Sequence, residues 1–106
     1  MLGDDADVMI QELFKNYLED APKRIDQIRM AVEKQDASEI REFSHALRST
    51  SISLGLAKLS QLCKTLELMG KNHVLESASL QLQLILTEYQ NVESTIQRDF
   101  AVSSAI

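Results

Sequence analysis

Apolar residues recur every three or four positions along almost the whole chain, and nowhere do they alternate long enough to build a strand. In the first segment Ile10, Phe14, Tyr17, Leu18, Ala21, Ile25, Ile28 and Val32 fall on one side of a helical wheel. Pro22 projects away from that stripe, so the phase continues through it. Two arrangements keep the phase. A single helix bends at Pro22, or a helix stops near Glu19 and restarts with Asp20 as cap and Pro22 in the new first turn.

The second segment starts at Asp36 or Ser38, where Asp36-Ala-Ser-Glu39 has the form of a capping box. Its inner face is Ile40, Phe43, Leu47, Thr50 or Ser51, and Leu54, and Gly55 is placed to end it. The third segment covers residues 56–69, with Leu56, Leu59, Leu62, Cys63 and Leu66 inward; Gly70-Lys71-Asn72 then reads as a turn. The fourth carries Val74, Ala78, Leu82, Ile85, Tyr89, Val92, Ile96 and Phe100 on one stripe. Leu80 and Leu84 fall off it and are expected to meet the N-terminal extension or a partner. Residues 101–106 are expected to fray. Four amphipathic segments joined by short turns predict an all-α fold, an antiparallel up-down four-helix bundle with its first helix bent or split near Pro22. A length of 106 residues fits a single domain over 1–106.

Composition narrows the function. The net charge of −5 argues against a general nucleic-acid binder, which needs excess Lys and Arg to neutralise phosphates. No apolar run approaches the roughly 20 residues that span a bilayer, and MLGDDADV lacks the basic and apolar regions of a secretory signal. The lone Cys63 excludes an internal disulfide and fits a reducing cytoplasm, where it packs as a small apolar residue. No P-loop or dinucleotide fingerprint is present. His45 and His73 lie on different elements with no ligand spacing between them, so no metal site is expected.

The charge is unevenly spread. Between residues 41 and 71 five cations (Arg41, Arg48, Lys58, Lys64, Lys71) face two anions (Glu42, Glu67), a net +3 inside a chain of −5. That hairpin carries His45, which on the wheel lies nearly opposite the apolar centre at Leu47 and Leu54. Its outer neighbours are Arg41, Arg48, Ser49 and Ile52, a modest docking patch rather than a solubilising face. Each of these residues alone would be an ordinary surface side chain. If the chain reverses at Gly55, equal rise brings Lys64, Leu66 and Glu67 alongside His45. Glu67 can then accept from the Nδ1–H of His45, fixing the tautomer and leaving the Nε2 lone pair in solvent. Arg48 and Lys64 would border that nucleophile with positive charge, although Lys64 and Glu67 also make an ordinary surface pair one turn apart.

The run His45-Ala-Leu-Arg48-Ser49-Thr50-Ser51-Ile52-Ser53-Leu54-Gly55 resembles the central motif of the histidine-containing phosphotransfer (HPt) domains of phosphorelay signalling. The flanking Leu59…Leu62-Cys63…Leu66-Glu67…Gly70 and Leu18-Glu19-Asp20-Ala21-Pro22 resemble the family too, so the likeness covers nearly the whole chain. It implies that His45 accepts phosphate on Nε2, that Arg48 neutralises the phosphoryl oxygens where the family usually has Lys, that Glu67 orients the imidazole, and that Gly55 is structural. Ser49 stands where the family commonly has Gly, which lets a partner's backbone come close.

The expected function is therefore a phosphorelay intermediate. It accepts a phosphoryl group on His45 from a receiver-domain aspartate and passes it to another receiver. It is a phosphocarrier without its own kinase or nucleotide site and with no cofactor of its own; Mg²⁺ is expected in the partner receiver. Response-regulator receiver domains and a hybrid histidine kinase are the expected partners, docking over Arg41, Ser49 and Ile52, with the chain itself a cytoplasmic monomer that contacts neither nucleic acid nor membrane. The alternative is a helical module that binds receivers or kinases without being phosphorylated, a degenerate phosphotransfer domain. A third reading is a structural or dimerisation module joined through Leu80 and Leu84.

Overall fold

A computed structural model describes the backbone of residues 2–100 and the side chains of residues 8–100. The expected fraying of residues 101–106 lies outside the described residues. Four helices follow one another: α1 (Leu2–Lys34), α2 (Ala37–Ser53), α3 (Ala57–Asn72) and α4 (Ala78–Asp99). Among the described residues there is no strand. The helices pack in chain order around a closed ring, α1 on α2, α2 on α3, α3 on α4 and α4 on α1, and the α2–α3 contact is the most extensive.

α1 is a single helix of 33 residues with Pro22 inside it. The reading in which it stops near Glu19 and restarts therefore gives way to one continuous helix. Proline inside a helix costs about 3 kcal/mol. Tyr17, Leu18 and Ala21 before it, and Ile25 and Ile28 after it, are all buried in the same core. Burying one large apolar side chain contributes about 1.5–3 kcal/mol, so packing on both sides outweighs the lost backbone bond. At roughly 1.5 Å per residue, α1 is about twice the length of the 17-residue α2. Its N-terminal part overhangs, and Ile10, predicted on the inner stripe, is exposed with Val8, Met9 and Leu13.

Three helices terminate by one device. Gln35, Gly55 and His73 each take a left-handed backbone, with φ of 53°, 73° and 56°. The next amide in each case reaches back five residues: Asp36 N–H to Ala31 O at 3.0 Å, Leu56 N–H to Ser51 O at 2.9 Å, and Val74 N–H to Met69 O at 3.0 Å. These are Schellman closures, which satisfy the last helical carbonyls. Gly55 ends α2 as its sequence position predicts. The end of α3 differs from expectation: Gly70-Lys71-Asn72 is not a turn but its last helical stretch, and His73 takes the left-handed position. Val74 consequently sits in the α3–α4 link, exposed, instead of on the inner stripe of α4.

Asp36 caps α2 by accepting from the Glu39 amide at 3.0 Å. The reciprocal half of the capping box is missing, because the Asp36 amide is spent on Ala31 O. The Glu39 carboxylate pairs with Lys34 Nζ at 2.7 Å instead. The core fills the ring with Ile28, Ile40, Leu47, Leu59, Leu66 and Ile85, all fully buried. Two polar links cross it. Ser51 donates to Leu47 O at 2.7 Å, so Tyr17 donates to Ser51 Oγ at 3.1 Å; of the pair Thr50 and Ser51, Ser51 is the buried one. Gln81 Nε2 donates to Leu62 O at 2.9 Å, tying α4 to α3. Phe100 is partly exposed but stacks on Phe14 with ring centroids 4.6 Å apart, joining the end of α4 to α1. Leu80 and Leu84 remain exposed.

Candidate functional site

The close approach of α2 and α3 begins at Gly70. A Cβ there would lie 2.7 Å from the Ala37 carbonyl oxygen and 2.7 Å from the Arg41 nitrogen, so only glycine allows these backbones to touch. One turn further along each helix, His45 of α2 meets Glu67 of α3. His45 is exposed, with 56% of its side chain in solvent, whereas Glu67 is mostly covered at 17%.

Glu67 is held from two directions. Its Oε2 lies 3.0 Å from His45 Nδ1, and its Oε1 accepts from Arg48 Nε at 2.7 Å. An Arg48 Nη also stands 3.1 Å from His45 Nδ1. Nδ1 cannot accept from Arg48 and donate to Glu67 at once. A carboxylate oxygen and an unprotonated ring nitrogen both present lone pairs, and at this distance they need a proton between them. The guanidinium has further donors that water can satisfy, so the Nδ1–H tautomer prevails. It leaves the lone pair on Nε2, on the solvent side of the ring.

The carboxyl of Glu67 titrates below its ordinary range. Partial burial alone would push it up. The hydrogen bonds from Arg48 and then His45, with the charge of Arg48, outweigh that burial. The site therefore keeps an ionised carboxylate against the imidazole throughout the neutral range.

The expected residues divide into those brought together and those left apart. His45, Glu67 and Arg48 form one hydrogen-bonded cluster. Arg48, however, does not stand free beside Nε2. It is committed to Glu67, because the register that sets Glu67 opposite His45 sets it equally opposite Arg48, one turn on. Lys64 is exposed and, among the described residues, makes no ion pair and does not line the cleft at His45. The observed pairing puts its backbone one turn past Glu67, alongside the stretch after Arg48. Arg41, Ser49 and Ile52 are exposed on the outer side of α2, Ile52 at 54%. Gly55 is the left-handed residue of the α2–α3 turn. Sequence reasoning missed Ser38 and Glu42, which with Arg41, His45 and Glu67 line a cleft of about 380 Å³. Spacing held that signal: positions 38, 41, 42 and 45 share one helical face.

Residues 12–95 match the family model of the Hpt domain. The chain belongs to the Hpt domain family. Comparisons with curated proteins and with solved structures found no match. Hpt domains are phosphotransfer modules of two-component phosphorelays, phosphocarriers rather than kinases, and they work with receiver domains and histidine kinases. Among the described residues of this Hpt domain, no helix is long and apolar enough to cross a membrane.

Proposed function

We propose that His45 is the phosphoacceptor of a phosphorelay and that the chain carries a phosphoryl group between receiver domains. One observation carries the reading: an exposed imidazole whose Nδ1 faces a covered, ionised carboxylate, so that Nε2 is the free nucleophile. In the forward step Nε2 attacks the phosphorus of a receiver's aspartyl phosphate. The N–P bond forms as the acyl O–P bond breaks, and the aspartate leaves as carboxylate. The ring gains positive charge during attack, and Glu67 compensates it through Nδ1–H. Passing the group to a second receiver reverses these bonds. A Mg²⁺ bound by the receiver supplies charge neutralisation at the phosphoryl oxygens; this chain contributes an aligned nucleophile and cations.

The reading takes the helices as an antiparallel up-down bundle. Contacts that support it meet in reverse chain order: Arg41 with Gly70 and then Arg48 with Glu67, Lys58 with Glu88 and then Leu62 with Gln81, Phe14 with Phe100 and then Tyr17 with Tyr89. Receivers dock over Ser49, Ile52 and the outer face of α2, where no other part of the described chain covers His45. The carrier works as a cytoplasmic monomer, receiving from a hybrid histidine kinase by way of its receiver.

The test is incubation with a phosphorylated receiver, following label into this chain. Acid-labile, alkali-stable label should appear on wild type and be absent from His45→Gln. Equal labelling of both proteins sinks the proposal, and an unlabelled wild type that still binds receivers leaves the binding-only module in its place.

A further inference from the structure

Three cations stand within reach of the hairpin's outer face, and the geometry gives them different jobs. Arg48 is bound through Nε to Glu67 and is half-buried, with 26% of its side chain exposed. Lys64 lies beyond the cleft. Arg41 is exposed, one turn before His45 on the same face of α2, and lines the cleft that contains His45. Among the described residues it makes no salt bridge, whereas Arg24, Arg29, Arg48 and Arg98 each pair with a carboxylate.

Resting on the assignment of His45 as phosphoacceptor, we infer that Arg41 is the cation that contacts the phosphoryl group on Nε2, and that Arg48 is a positioning residue acting through Glu67. Two facts favour this division. Moving Arg48 to the phosphoryl group would strip Glu67 of its strongest partner and leave a mostly covered carboxylate with one hydrogen bond. Arg41 has no such bond to break, and its planar fork suits two phosphoryl oxygens. The backbone contact with Gly70 fixes the base of Arg41 against α3, so the side chain starts from a firm point at the foot of the cleft. Charged groups facing a phosphoryl group there are Arg41, Glu42 and Arg48 from α2 and Glu67 from α3. Glu42 and Glu67 repel it, and with Arg48 neutralising Glu67, Arg41 remains as the compensating charge.

Phosphoramidate serves as the probe donor. Its P–N bond breaks as the Nε2–P bond forms, releasing ammonia. Phosphorus NMR then follows both the titration of the phosphoryl group and the lifetime of the phosphohistidine, while nitrogen NMR of the unphosphorylated protein reports the His45 tautomer. In Arg41→Gln, the second phosphoryl ionisation should move upward by a few tenths of a pH unit, as loss of one exposed cation allows. The lifetime should change with it, and the Nδ1–H tautomer signal should stay as in wild type. Arg48→Gln should show the converse, a disturbed tautomer signal with the phosphoryl titration in place. Arg41→Lys should restore most of the titration. A phosphoryl titration that moves with Arg48→Gln and not with Arg41→Gln overturns the division of roles. Label that fails to depend on His45 overturns the assignment of the phosphoacceptor itself, and the His45→Gln control separates the two failures.

Discussion

Gly70 rests directly on the backbone of Arg41: a Cβ added to the glycine would lie 2.7 Å from the Arg41 nitrogen and 3.1 Å from its Cα. The contact lies one turn from the His45–Glu67 pair on both helices, so it sets how closely those side chains meet. A glycine inside a helix is otherwise a weakness of about 1 kcal/mol relative to alanine.

Gly70→Ala tests this spacing. Helix propensity alone predicts stabilisation. The clash is with backbone atoms that cannot rotate away, and overpacking of this kind typically costs about 1–3 kcal/mol. The variant should therefore be less stable in urea than wild type. It should also show a weakened Nδ1–H signal for His45, because the helices are wedged apart at that end. A more stable protein with an unchanged imidazole signal would mean that the spacer has no role.

The low titration of Glu67 gives a pH signature. A carboxyl whose folded pKa is depressed contributes stability that is complete above its unfolded pKa, near ~4.3, and is lost as pH falls through the folded value. Glu67→Gln removes that contribution. Hydrogen bonds to charged groups contribute about 1.5–3 kcal/mol, so wild type should exceed the variant by roughly this amount at pH 5. The gap should narrow steadily below about pH 4. Denaturant titrations of both proteins across pH 5 to 2.5 measure it, and a gap that widens toward acid contradicts the sign.

Arg48 and Lys are not equivalent at this position. Arg48 presents Nε to Glu67 while an Nη reaches toward His45, a fork that a lysine ammonium cannot reproduce. Arg48→Ala should destabilise by about 1–3 kcal/mol, because it leaves the covered Glu67 short of a donor. Arg48→Lys should recover part of that stability and part of the rate of phosphoryl transfer to His45. Thermal unfolding and label transfer, run on the same three proteins, check both expectations; full recovery of the rate by lysine contradicts a geometric role.

The helices and the cluster were legible in the sequence to different depths. Helical periodicity located all four segments, because burial in a bundle needs only one apolar stripe per helix. The same reasoning gave the His45–Glu67 meeting, since a hairpin turning at Gly55 fixes which residues face each other. It stopped short where one residue type serves two purposes. Gly70 looked like a turn because glycine ends helices, and His73, which does end α3, carries no such mark. Arg48 looked like a free cation because sequence shows charge but not which partner claims it. Pro22 left a bend and a boundary both open because its local penalty is visible in sequence, whereas the packing that keeps one helix through it is spread over both flanks.

Cys63 offers a last test, of the core behind the site. It is fully buried between Leu59 and Leu66 in the packed ring. Burial pushes its thiol up to about 12, with Arg48 pulling it down and Glu67 raising it. The thiolate is the reactive form, so the native protein should resist alkylation at pH 8 even though it has no disulfide to protect it. Labelling by iodoacetamide should proceed only through unfolding, slower than for a free thiol by about a thousandfold or more, and should accelerate to the free rate in urea. Cys63→Ala should cost less than Cys63→Ser, because a serine hydroxyl at this position brings a polar group into an apolar core at about 1–3 kcal/mol. Fast labelling of the native protein would mean that α3 opens at Cys63 without global unfolding, and Glu67, one turn further on the same helix, would then not be the rigid support that aligns His45.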